Sequence, residues 1–179
     1  MLPACESPSA DGPPGSASER AASLLRSFSQ IRSFATVEDP VLLGQALGAT
    51  IRMARDTPEF SEAYISDDPR VPNGSWVRRA RPDGSTVAGV SLTPQASGLC
   101  ITFRALVDHF GRRARRGTAS SVGWIYDDNI ALSVGSWTWP VVVEPGATLH
   151  VGVEFLHGER RCASYLHLSV DRSSTRGGE

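Results

Sequence analysis

Hydrophobic positions in the first third of the chain recur at helical spacing. In "ERAASLLRSFSQIRSF" the residues Ala21, Leu24, Leu25, Phe28, Ile31 and Phe34 share one face, and Ser16 with Glu19 stands ahead of them at capping-box spacing. Asp39 followed by Pro40 is a second start signal, and "VLLGQALGATIRMAR" then offers Leu42, Leu43, Ala46, Leu47, Ile51 and Met53 as a buried stripe ending at Asp56 to Pro58. Two N-terminal helices are predicted. As a DNA reader the pair is poor, because its "ATVEDP" connection is acidic and its second helix lacks a basic face; packing on a sheet is expected.

From about residue 63 the pattern turns to period two. Asn73-Gly74 and Asp83-Gly84 carry hairpin-turn chemistry and bracket "SWVRRAR", which places that run on a short strand. "STVAGVSLT", "GLCITFRALV", "SVGWIYD", "NIALSVGSWTW", "VVVEPGATLHVGVEFLH" and "CASYLHLSV" follow as further strands. Leu149, Val151, Val153 and Phe155 oppose His150, Gly152 and Glu154, and Leu166, Leu168 and Val170 oppose Tyr165, His167 and Ser169. The fold class predicted is mainly β, in α+β order: two helices, then an antiparallel β-sandwich or jelly-roll-like barrel. By residue, 1–18 is a disordered Pro/Ser/Gly arm and 19–179 a single domain. Within it, 19–57 is helical, 63–171 is the antiparallel β domain and 172–179 is a flexible tail.

Charge changes the picture more than composition does. The net charge is −1, yet residues 70–116 carry +7 between flanks of −5 and −3, and all 18 basic residues are arginine. A GC-rich coding sequence accounts for missing lysine most simply; selection for bidentate guanidinium forks is the functional alternative. Arg-Arg-Ala-Arg occurs twice, at Arg78 to Arg81 on the expected strand and at Arg112 to Arg115 in a glycine-flanked loop. With Trp76 beside the first run, Trp124 and Tyr126 after the second, and Trp137 and Trp139 on one strand face, this composition suits a phosphate-tracking, base-stacking surface. The residues singled out are Arg78, Arg79, Arg81, Arg112, Arg113, Arg115, Arg116 and Trp76.

Other chemistry is sparse. Pro145, His150 and Glu154 are spaced somewhat like the second metal motif of cupins, and His157 and His167 lie nearby. That resemblance would imply a metal-dependent barrel enzyme, but it spans a dozen residues, Gly146 interrupts it and the upstream His-x-His is missing. His150 and Glu154 on one strand would sit about 13 Å apart. Nucleophile-elbow, phosphate-loop and dinucleotide fingerprints are absent, so no catalytic residue, metal or cofactor is expected. Cys5, Cys100 and Cys162 have no metal spacing and an odd count; free thiols are expected, with Cys100 in a strand core. With no long apolar run and no signal-type N-terminus, a cytoplasmic, non-membrane location is expected.

The functional expectation is a non-enzymatic, self-associating protein whose arginines contact RNA or another polyanion, as in a small viral coat or RNA-binding accessory protein. A protein-interaction module (effector, immunity or assembly protein) meeting an acidic protein surface is the alternative, and the cupin-like enzyme comes third.

Overall fold

A computed structural model describes residues 16–65, 71–112, 114–116, 135–155 and 162–172. The expected arm up to residue 15, the tail from 173, and Trp124, Tyr126 and His157 lie outside the described residues. The protein is mainly β: strands β1 (Ile51–Asp56), β2 (Phe60–Ile65), β3 (Gly74–Ala80), β4 (Thr86–Leu92), β5 (Arg115–Arg116), β6 (Gly135–Glu144), β7 (Ala147–Phe155) and β8 (Tyr165–Arg172). They form one antiparallel sheet in the order β1-β2-β3-β4-β8-β7-β6-β5. Seven of these strands have six residues or more, and β5 adds two residues at one edge. Each half is a four-strand meander preceded by helix, and the two meanders join through the antiparallel pairing of β4 with β8.

Helices α1 (Ala17–Gln30), α2 (Phe34–Glu38), α3 (Pro40–Leu47) and α4 (Phe103–Phe110) supply the layer that a second sheet was expected to provide. The sandwich or closed barrel is therefore corrected to one open sheet with helices packed on it. Register explains the choice of face: Ala63, Trp76, Val90, Leu168, Val151 and Trp139 stand directly opposite one another across six strands, and all are buried. Leu25, Phe28, Val37, Leu43 and Leu106 come from the helices to cover that row and its neighbours. Two indoles also bind the covering layer: Trp76 Nε1 donates to the Val37 carbonyl at 2.7 Å and Trp139 Nε1 to the Gly111 carbonyl at 2.7 Å.

Several sequence signals hold at atomic detail. The Ser16 hydroxyl accepts from Glu19 N while the Glu19 carboxylate accepts from Ser16 N, and Asp39 accepts from the amides of Val41 and Leu42. Asp83-Gly84 makes the β3–β4 turn, with Gly84 at φ 82° and the Asp83 carboxylate accepting from Ser85 N and Oγ.

Other expectations are overturned. The first helix stops at Gln30, and Phe34 opens a separate helix. The helix from Pro40 ends at Gly48 in the left-handed region, so Ile51 and Met53 belong to β1, and Met53 is exposed. Asn73-Gly74 is not a turn, because Gly74 pairs with Leu92 inside the ladder, where a Cβ would lie 2.2 Å from the Ser91 carbonyl oxygen. In "GLCITFRALV", Thr102 caps a helix that begins at Phe103, since its hydroxyl accepts from Ala105 N, and no strand forms.

Cys100 and Cys162 are joined as a disulfide, which corrects the free-thiol expectation; the odd count reflects Cys5 alone. The bond links the approach to α4 with the approach to β8, 62 residues apart. In the chain-entropy model a loop of that size stabilises by about 4 kcal/mol. Urea unfolding with and without reductant should show a loss of that order, and thiol titration in denaturant should find one reactive cysteine rather than three. Trp76→Ala should cost about 3–5 kcal/mol in the same assay through cavity formation and the orphaned Val37 carbonyl.

Candidate functional site

Because one face is committed to the helices, alternation places every second residue on the face opposite. One row across it reads Arg52, Tyr64, Ser75, Ser91, His167, Gly152 and Thr138, from β1 to β6. The next reads Glu62, Val77, Gly89, Ser169 and His150, and a third Phe60, Arg79, Val87, Asp171 and Thr148. Ser75, Val77, Arg79 and Arg81 on the β3 side and Ser136, Thr138 and Glu154 on the β6–β7 side line a groove of about 540 Å³. Ser91, Gly89, Ser169 and Gly152 keep its floor low.

The doubled arginine motif is divided by this geometry. Arg78 sits in register with Ala88 and Ser61, on the helix side, where its guanidinium donates to Ser61 Oγ at 3.2 Å and lies 3.7 Å from Asp56. Arg79 points to the other face, exposed, with its guanidinium 5.7 Å from the centroid of the Phe60 ring; Arg55 approaches the same ring at 5.6 Å. Among the described residues neither Arg55 nor Arg79 has a carboxylate partner. Arg81 is held by Asp171 at 3.2 Å. Arg112 is exposed beyond α4, Arg113 lies outside the described residues, and Arg115 and Arg116 form β5 rather than the expected loop. β3 and β5 are five strand positions apart, about 24 Å, so the two motifs do not make one groove.

Trp76 cannot stack on a ligand, since it is 2% exposed in the core. Trp137 and Trp139 share a face as expected, but it is the covered one, where Phe103 meets them at 5.3 and 5.9 Å. Among the described residues the exposed aromatic on the open face is Tyr64, and the Glu62 carboxylate beside it raises the phenol above its usual range. The Arg55–Phe60–Arg79 stack was missed in the sequence because "TPEF" reads as a break. The alternation Phe60, Glu62, Tyr64 against Ser61, Ala63, Ile65 was the available signal.

At the far end of the groove His167 lies on the floor, its ring stacked against Tyr165 at 6.0 Å and 13°. Its Nε2 is enclosed and 3.4 Å from Glu154 Oε1, without hydrogen-bond geometry. Burial holds the imidazole below the usual histidine range, against the opposite pull of Glu154. Burial therefore favours the neutral form of the ring over an ion pair with Glu154. His150 stands on the neighbouring row, opposite Ser169. Among the described residues no group of three His, Cys, Asp or Glu can hold a metal, and the open sheet is unlike a cupin barrel.

Comparison with protein families, with curated proteins and with solved structures finds no match. The site's chemistry thus rests on its own geometry: guanidinium donors at one corner, a carboxylate and a neutral imidazole at the other. Because His167 has a depressed folded-state pKa, its contribution to stability is complete above the ordinary histidine pKa of about 6.5 and is lost as pH falls below it. Urea midpoints measured between pH 7.5 and 5 should fall in the wild type and fall less in His167→Gln; identical slopes would contradict the burial of a neutral ring.

Proposed function

We propose that this is a non-enzymatic binding protein whose open sheet face receives an extended, anionic segment of a partner protein. The observation that carries this reading is Arg79: it lines the groove, is propped on Phe60 and has no carboxylate partner among the described residues. An extended segment suits a floor of Ser, Gly and Val that follows β3 from Ser75 to Arg81.

RNA is a weaker fit than the charge map suggested. Arg78 and Arg81 already have acidic partners, and Trp76 is buried. The Cys100–Cys162 disulfide fits maturation in an oxidising compartment. The disulfide thus speaks for an oxidising compartment rather than the cytoplasm; no helix among the described residues is long and apolar enough to cross a membrane. Self-association through the sheet edge draws little support, since β1 presents Arg52, Arg55 and Asp56 and is bulged between Met53 and Arg55.

The test is fluorescence anisotropy with a labelled glutamate-rich peptide and a labelled oligoribonucleotide at low and moderate salt. The peptide should bind in a salt-sensitive way, and Arg79→Ala should weaken it about fivefold, while Arg78→Ala, altered on the other face, leaves it unchanged. No binding by folded protein, or equal loss in both variants, would contradict the reading. Preference for the oligoribonucleotide would replace it with the RNA reading.

A further inference from the structure

The charges left over on the open face are not all of one sign. Asp171 is engaged by Arg81 and Glu62 stands opposite Arg55 in the β1–β2 ladder, which among the described groove-lining residues leaves Arg79 at one corner and Glu154 at the opposite one. Arg52 lies on the outer strand β1, away from the groove lining. Glu154 is half-exposed, and its ion-pair neighbour among the described residues is His167, whose burial disfavours the charged form. A carboxylate in that position is satisfied by a hydrogen-bond donor that enters from the groove, and Tyr165 and His167 beside it provide a stacked aromatic flank for an aliphatic stem.

We propose that the groove is a bipolar peptide site: an acidic group of the ligand meets Arg79, and an ammonium or guanidinium group about seven residues away meets Glu154. The span follows from the ladder. Through the registers of β3, β4, β8 and β7, Arg79 is level with Thr148, six residues along β7 from Glu154 and three strand positions away. That makes about 20 Å along the strands and about 14 Å across them, which a chain of about seven extended residues covers. The proposal rests on the reading of the open face as a ligand surface and adds to it the signs and spacing of the ligand's charges.

Protons tune the second corner. Protonated His167 would pair with Glu154 and compete with the ligand's cation. The other described groups around the ring are Tyr165 on its own strand, the uncharged Ser91, Gly152 and Thr138 on its own row, and the titratable His150 on the next row of β7. Affinity for the cationic end is therefore steady above the ordinary histidine range and declines below it.

The test uses three synthetic ten-residue peptides on an Ala/Ser backbone, with the two charged positions seven residues apart, titrated against the full chain. One carries Glu near its N-terminus and Lys near its C-terminus, one has the reverse order, and one has Glu at both positions. One of the two bipolar orders should bind about tenfold more tightly than the all-acidic peptide. Glu154→Gln should abolish that advantage by weakening the bipolar peptide, with the all-acidic peptide binding no more weakly than before because a like-charge repulsion is removed, and Arg79→Ala should weaken all three. Equal binding of bipolar and all-acidic peptides, or an advantage that survives Glu154→Gln, overturns the bipolar site while leaving the anionic reading intact. Insensitivity of every peptide to Arg79→Ala overturns both.

Discussion

The structure depends on a single row of apolar side chains running sideways through the sheet. Ala63, Trp76, Val90, Leu168, Val151 and Trp139 lie in exact cross-strand register, and the helical layer is closed over them by apolar contacts and by two indole-to-carbonyl bonds. Side chains in a strand alternate faces, so fixing this row fixes the opposite one as well. A register slip of one residue would bring Arg79 and His167 under the helices and expose Trp76 and Leu168. The groove is thus a consequence of the same constraint that builds the core, and its residues need no dedicated scaffold of their own.

Its electrostatics follow in turn. Alternation sends neighbouring arginines of one motif to different surroundings: Arg78 to Ser61 and Asp56, Arg79 to an open face and an aromatic ring. Clustering in sequence does not produce clustering in space on a strand: Arg78 and Arg79 lie on opposite faces, and Arg115 and Arg116 belong to the strand at the far sheet edge. What remains unneutralised is local and of both signs. Such a surface selects ligands by the arrangement of their charges more than by their total charge.

Periodicity was legible wherever one face was wholly apolar. β7 and β8 read directly from their alternation, and the caps at Ser16 and Asp39 read from local chemistry. What escaped were boundaries where two periods overlap. Ile51 and Met53 continue a helical stripe in sequence, yet Gly48 in the left-handed region ends the helix and β1 begins. Cys100 sits in a run as apolar as any strand, and only the fold brings Cys162 to it, since pairing at a separation of 62 residues leaves no local trace. The covering of the sheet by helices instead of a second sheet is likewise tertiary: α4 lies inside an expected strand and was invisible to a period-two reading. At the candidate site, Glu154 and His167 stood out as titratable residues on alternating strands, but their proximity needed the β7–β8 register.

The central claim is that the helix-free face is the binding face. Its most direct test is amide chemical-shift mapping of the full chain during titration with a glutamate-containing peptide. Shifts should concentrate on β3, β4, β7 and β8 around Ser75, Val77, Arg79, Ser91, His167 and Ser169, leaving the outer surfaces of α1 and α3 unmoved. Shifts confined to those helices, or to Arg112 and β5, would place the interaction elsewhere and contradict the account.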